Sequence, residues 1–503
     1  MMLAFALSPF LILGIGALLL MLAEAFAQPA NDRRGIDADE SANGLALGTT
    51  VVFLTGGAFA AAIWMFGIDN IDGLSTLAPW LLIDRFTIFF EMLLCLGGAL
   101  AALLAGGYLP EHKLNHGEFY ALLIFSTIGA MMLAAAGDLL TIFLGLETMS
   151  LGAYAMTAFR RTSARSTEAG LKYFLLGSFA AAVLLYGFAL LYGVTGHTDL
   201  AGIGQSLASG GARSPIAILA LALVLVGLIF KVSAVPFHMW TPDAYEGAPT
   251  PATTYMAVAV KSAAFAMMLR ILLTSFGSGG WISWSSGWPP VIAWISVLTM
   301  TVANLIAGRQ DSVKRMLAYS SIAHAGDLLI GVVACSRSPH ATASVLFYLV
   351  AYTASTAGAF GALILCGCRG AEAVSYEDLS GIGRRHPAAA LPLALFLLSL
   401  AGIPPTAGFF AKWFIFRSAI DGGFYLLAII ALLNSVVGVY YYLRVLVFMY
   451  MREPAAGAPI AKPMRSGYVV AALLISAILV VVLGVTPSST LDVAQAAAAM
   501  PGG

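Results

Sequence analysis

Apolar stretches of about twenty residues, the length that one membrane-spanning helix needs, follow one another from end to end of the chain. The pattern predicts helices over roughly 3–27, 44–66, 84–108, 117–136, 138–159, 170–193, 216–238, 252–275, 289–308, 313–334, 341–367, 388–418, 423–450 and 467–487, fourteen in all. Two of these runs carry a break. The run over 216–238 reaches Lys231 and then meets Pro236, and the over-long run at 388–418 contains Ile403-Pro404-Pro405. Proline removes a helix hydrogen bond and clashes with the preceding turn. Broken backbone at membrane depth persists only where protein or a water-filled cavity satisfies its polar groups.

The positions of the basic residues test this helix count. Loops after odd-numbered runs hold 15 lysines and arginines, and those after even-numbered runs hold 4. Basic loops stay in the cytoplasm, so the asymmetry puts both termini outside it. The run over 3–27 lacks the basic start of a signal peptide and is long enough to span, so it is read as a first helix.

Composition agrees: 60% of the 503 residues are hydrophobic and 10% charged, against about 25% charged in a soluble domain. The chain is therefore an all-α polytopic membrane protein. Net charge is zero, which gives no electrostatic case for nucleic acid, whereas membrane lipids are expected neighbours. Cys95, Cys335, Cys366 and Cys368 fall in or beside apolar runs and read as packing residues, with no metal-site spacing. The loops near 28–43, 194–215 and 368–387 are too short for a soluble domain, so no cofactor site for nucleotide, flavin or iron–sulfur cluster is expected on this chain.

The chemistry lies in charges that lipid penalises. Each costs at least roughly 2.5–3.5 kcal/mol at the bilayer centre, yet four of the seven lysines, Lys172, Lys231, Lys261 and Lys412, fall within or at the edge of predicted helices. Lys172, within a turn of its predicted helix start, also admits a snorkelling reading. Lys231 is deep in its run, and Lys412 is flanked by Phe409-Phe410 and Trp413-Phe414. Glu147 lies roughly 13 Å into its helix, near the midplane. Lysine changes protonation state far more readily than arginine, so a Glu147–Lys231 couple passing protons towards Lys261 and Lys412 is the expected relay. His238 and His324 either bridge the lysines or bond unwound carbonyls. Asp327 shares a helix face with His324 and is expected to face the bundle interior. Glu24 and Glu91 lie in apolar runs with no local partner. Asp243 and Glu246 serve either as solvated capping groups or in proton uptake.

An internal repeat emerges from the same residues. Helices four to eight place an acid in the second member (Glu147) and a broken, lysine-bearing fourth (Lys231, Pro236). Helices nine to thirteen repeat this with Asp327 and with Pro404, Pro405 and Lys412. Five helices per unit is odd, so the units are inverted relative to each other. The expected division is residues 1–110 (helices one to three), 111–275 and 276–450 (the two repeats) and 451–503 (helix fourteen and tail).

Several runs are recognisable. Phe143-Leu-Gly-Leu-Glu-Thr-Met-Ser-Leu151, Ser166-Thr-Glu-Ala-Gly-Leu-Lys-Tyr-Phe174 and Phe230-Lys-Val-Ser-Ala-Val-Pro-Phe-His-Met-Trp-Thr-Pro-Asp243 resemble the antiporter-like subunits of respiratory complex I. Lys314-Arg-Met-Leu-Ala-Tyr-Ser-Ser-Ile-Ala-His324, Tyr376–Pro387 and Ala401–Lys412 resemble subunit N of the bacterial NADH:quinone oxidoreductase, and the likeness runs from about 80 to 450. It implies the fourteen-helix fold with two inverted repeats, and proton-path roles for Glu147, Lys172, Lys231, Lys261 and Lys412. It also implies redox chemistry on other chains, which hold the quinone, FMN and iron–sulfur clusters. The implied partners are the adjacent antiporter-like subunit and the small quinone-proximal subunits of the membrane arm. Asp327 departs from the family, which usually has an aromatic residue there. Two alternatives share parts of the pattern: a subunit of a multisubunit Na+/H+ antiporter or membrane-bound hydrogenase, and a structural membrane subunit that pumps nothing. Retention of all five charged positions argues against the structural one.

Overall fold

The computed structural model describes residues 2–34, 38–209, 214–367, 372, 374–454 and 463–499. Cys368 and the loop bases Arg213, Arg369 and Lys462 lie outside the described residues. Among those described, every regular element is a helix. Twelve helices are long and apolar enough to cross a membrane. In chain order, α1 (Ser8–Phe26), α2 (Gly44–Phe66), α3 (Arg85–Glu111), α4 (Glu118–Ala135), α5 (Leu139–Thr157) and α6 (Ala164–Thr195) come first. The shorter pair α7 (Pro215–Lys231) and α8 (Trp240–Gly247) follows. Next are α9 (Thr250–Ser275), α10 (Trp288–Ala307), α11 (Val313–Ala334) and α12 (Ala341–Leu365). A second short pair, α13 (Pro387–Ala401) and α14 (Ala407–Asp421), precedes α15 (Tyr425–Met451), α16 (Gly467–Val485) and α17 (Pro487–Ala498). α9, α11 and α12 form the interior; α1, α2, α6, α15 and α16 show much of their apolar surface to the surroundings.

Both breaks fall where proline predicts them. After Lys231 the chain turns through Ser233 at φ 64°. The freed polar groups find partners: the Val235 amide donates to Thr299 Oγ1 at 3.0 Å, and Trp240 Nε1 donates to the Phe230 carbonyl at 3.3 Å. The second break passes through Gly402 at φ 83°, a conformation that a side chain would strain, and the Gly408 amide donates to Ser399 Oγ at 3.2 Å.

Three boundaries differ from the sequence reading. α6 starts at Ala164, so Lys172 stands nine residues into it rather than within its first turn. Lys231 ends its helix instead of lying inside it. The loop over 194–215 contains a helix, Leu200–Ala208, capped by Asp199. Lys314, counted above as a loop base, is 1% exposed in the first turn of α11.

Two contacts fix the frame. α4 and α5 meet along a glycine seam. A Cβ on Gly129 would stand 2.3 Å from the Met149 amide nitrogen, and one on Gly152 would stand 2.9 Å from the Leu122 carbonyl oxygen. Ser126 Oγ also donates to the Met149 carbonyl at 2.7 Å. At the far end of α9, Arg270, 1% exposed, grips Asp84 with both terminal nitrogens at 2.6 and 2.7 Å. Its Nε donates to the Ala134 carbonyl at 2.9 Å. Asp84 also caps α3 by accepting from the Thr87 amide, so one buried pair ties α9, α3 and α4 together.

Candidate functional site

Lys231 is 5% exposed at the last residue of α7, where unpaired helix carbonyls carry partial negative charge. Its Nζ donates to Ser150 Oγ at 2.7 Å and lies 6.0 Å from the centre of the Tyr173 ring. A cavity of about 10 Å³, room for roughly one water, adjoins Lys231 and Ser150 and is also lined by Tyr154, Gly177 and Phe230. Glu147 is one turn before Ser150 on α5 and half-buried. It makes no ion pair with Lys231: Ser150 takes the contact position, and the charge of Glu147 acts on the lysine from farther off.

Lys261, 2% exposed, follows a π-helical turn over Met256–Val260, a local widening often found at functional sites. Its Nζ donates to the Ser321 carbonyl at 2.5 Å and also to Ser321 Oγ, which accepts from the Tyr352 hydroxyl at 2.8 Å. Lys412, on α14, reaches back across the second break to Ser435 Oγ at 3.3 Å and to the Ala401 carbonyl, the last of α13, at 3.5 Å.

Between Lys261 and Lys412 stands a buried polar chain. His324 Nδ1 lies 2.6 Å from the Tyr348 hydroxyl, which donates to Asp327 Oδ2 at 3.0 Å. With that proton committed, the Tyr348 oxygen accepts from Nδ1–H, leaving Nε2 to accept from the Tyr442 hydroxyl at 3.2 Å. Tyr442 bonds Ser320 in turn. Directly, His324 and Asp327 are 3.9 Å apart.

The remaining predicted residues are elsewhere. Lys172, with its side chain 44% exposed, pairs with Glu168 at 2.6 Å and Asp243 at 2.9 Å. Arg315 holds Asp243 at 2.9 Å and Glu246 at 2.8 Å, and Arg165 holds Glu246 at 2.6 Å. His238 sits half-buried inside the first break, where its polar neighbour is the Pro236 carbonyl of the unwound stretch, not a lysine. Glu24 accepts from the Gly117 amide at 2.7 Å at the start of α4. Both Glu91 oxygens are buried without a hydrogen-bond partner.

Sequence reasoning missed the hydroxyls: Ser150, Ser321, Tyr348, Tyr352 and Tyr442. Spacing held part of the signal, since Ser320, His324 and Asp327 share one face of α11 and Tyr348 and Tyr352 lie four apart on α12.

The family model for the membrane domain of NADH:quinone oxidoreductase and Mrp antiporters matches residues 136–438. The chain is 66% identical over 497 residues to NADH-quinone oxidoreductase subunit N 1 of Sorangium cellulosum, covering 97% of each sequence. Its structure is similar to a chain in Thermus thermophilus respiratory complex I with bound aureothin, with a TM-score of 0.77 and 31% identity over 96% of this chain and 98% of that one. It also shares its fold with a chain of the Mrp complex from a Dietzia species, with a TM-score of 0.83 and 23% identity over 98% and 97% of the two chains.

Proposed function

The chain belongs to the NADH:quinone oxidoreductase/Mrp antiporter membrane family and, within it, to the subunit N line; from that premise we propose that it carries protons across the membrane along Glu147, Lys231, Lys261, His324, Asp327 and Lys412. It is a proton-translocating membrane subunit of an NADH:quinone oxidoreductase. Electron transfer from NADH to quinone on other subunits drives it, and FMN and iron–sulfur clusters belong to those subunits. Each broken helix pair crosses once, which with the twelve long helices gives fourteen crossings and two inverted repeats. Both termini then face the periplasmic side of the inner membrane. Glu147 opens towards the adjacent antiporter-like subunit, beside Leu144 and Leu151, which are exposed on the same helix. Lys172 and His238 flank the path and set the charge beside it.

One observation carries this reading. Lys231, Lys261 and Lys412 each donate to a serine hydroxyl, and among the described residues none is held by a carboxylate at ion-pair distance. A carboxylate partner favours the charged form of a lysine unless it takes up a proton itself. A hydroxyl, in contrast, both gives and accepts a hydrogen bond, so its lysine partner can gain or lose a proton without leaving a bare buried anion.

The test is Lys231→Ala in the assembled complex, with native gels to check assembly and with NADH-driven quinone reduction and proton uptake into vesicles followed together. Intact assembly with both activities lost places Lys231 on the path. Wild-type pumping would move the structural reading to first place.

A further inference from the structure

A second set of buried charges lies outside the relay, at the end of the bundle that carries the basic loops. Lys314 Nζ donates to the Ala248 carbonyl at 2.7 Å and to Glu372 Oε2 at 3.0 Å. Glu372 also accepts from the Tyr108 hydroxyl, and Arg160 approaches it at 3.8 Å while donating to the Tyr108 oxygen at 2.9 Å. His112 completes the ring of titratable neighbours, stacked on Tyr108 at 3.9 Å. A cavity of about 10 Å³, room for roughly one water, is lined by Glu372, Tyr108, His112 and Thr250. Thr250 begins α9, the helix of Lys261.

The direction of this cluster is set by α11. Lys314 and Ser321 are seven residues apart, hence on one face and about 10.5 Å apart along the axis. Ser321 is the residue that holds Lys261, and the buried Tyr245 stands beside it. A line therefore runs from Glu372 through Lys314 and past Tyr245 to Ser321 and Lys261.

We propose that Glu372 and Lys314 form the inlet of a proton lane that runs down this face of α11 to Lys261. The proposal rests on the proton-translocating reading above and names where the central lysine is supplied. A proton from water on the basic-loop side binds the Glu372 carboxylate. Lys314 passes one of its own protons along the lane, a step that needs bridging water, and takes its replacement from Glu372. The net result is one proton moved to Lys261 with both inlet groups restored.

Two observations support Glu372 over the nearby acids. Asp243 and Glu246 each engage two cations at 2.6–2.9 Å, which fixes them as anions, whereas Glu372 meets Lys314 at 3.0 Å and its second cation, Arg160, only at 3.8 Å. Burial, in contrast, pushes the Glu372 carboxyl up to about 8, even beside the Lys314 ammonium, so it exchanges protons near neutral pH.

The experiment uses Glu372→Gln and Glu372→Asp in the assembled complex, with NADH-driven turnover and proton uptake measured on either side of pH 8. In the wild type both rates are expected to fall as pH rises through about 8 and Glu372 empties. Glu372→Gln is expected to lower both by about tenfold or more and to abolish that alkaline fall, with Glu372→Asp restoring part of the rate. A lowered rate with the pH profile unchanged makes Glu372 a structural residue and overturns the inlet. If Lys231→Ala abolishes pumping while Glu372→Gln pumps like the wild type, the inlet falls and the relay stands. If both variants pump like the wild type, the reading beneath the inlet falls with it.

Discussion

Tyr348→Phe removes a single oxygen from the middle of the polar chain. That oxygen accepts from His324 at 2.6 Å and donates to Asp327 at 3.0 Å. Without it, the two groups face each other across 3.9 Å, beyond the roughly 3.2 Å that a good hydrogen bond spans. Phenylalanine keeps the ring edge-to-face with His324, so packing is conserved and the lost interaction is polar. A hydrogen bond to a charged partner contributes about 1.5–3 kcal/mol, which corresponds to roughly 10- to 150-fold in the rate of a step that depends on it. The expected outcome is an assembled complex in which NADH-driven proton uptake by vesicles drops by at least about tenfold, with quinone reduction falling alongside. Asp327→Asn tests the pairing: if the two residues act through one bond, the double variant is no slower than the slower single one. Wild-type pumping by Tyr348→Phe, or full additivity in the double variant, would refute the assignment of a proton path through this hydroxyl.

Three further outcomes follow from contacts described above. Arg270→Ala leaves the Asp84 carboxylate without its bidentate partner, and breaking a buried pair from one side costs about 3–5 kcal/mol; native gels and thermal melting should show poor assembly and a lower midpoint. Ser150→Ala deprives Lys231 of its hydroxyl at a cost of about 1–3 kcal/mol; coupled turnover should fall by less than in Lys231→Ala, and an unchanged rate would remove Ser150 from the path. Burial first, then the charges of Arg160 and Lys314, lowers the His112 pKa to about 4, against about 6.5 when unfolded. The folded state therefore binds fewer protons than the unfolded state between those values, and stability declines as pH falls through that window; His112→Asn should flatten this acid limb in melting curves.

The parts of this architecture that sequence exposes are those with a large energetic signature. Twenty apolar residues, a proline within them and a lysine among phenylalanines each violate or satisfy a strong rule about lipid, so the helices, both breaks and Lys231, Lys261 and Lys412 were legible. Tyr348, Tyr352 and Tyr442 were not, because tyrosine in an apolar helix costs little and its partner depends on how three helices pack. The Glu147–Lys231 couple was inferred from charge alone, which could not reveal that Ser150, one turn from the acid, takes the contact with the lysine while Glu147 acts on it through space. Glu372 was hidden for the opposite reason: in a polar loop an acid attracts no notice until Lys314, expected in solvent, turns out to be buried beside it.

The glycine seam between α4 and α5 sets which side of the Lys231 site is free to move. Backbones that meet with no room for a methyl group behave as one plank, so α5 cannot slide or roll without prying α4 away from it. Glu147 and Ser150 are therefore mounted on a fixed electrode. On the other side, Lys231 stands at the end of a helix whose continuation is irregular, closed by turns from the Val232, Ser233 and Ala234 amides and not bound into a second helix at that level. A change in the contact between the two therefore has to come from the lysine side, against a stationary terminal.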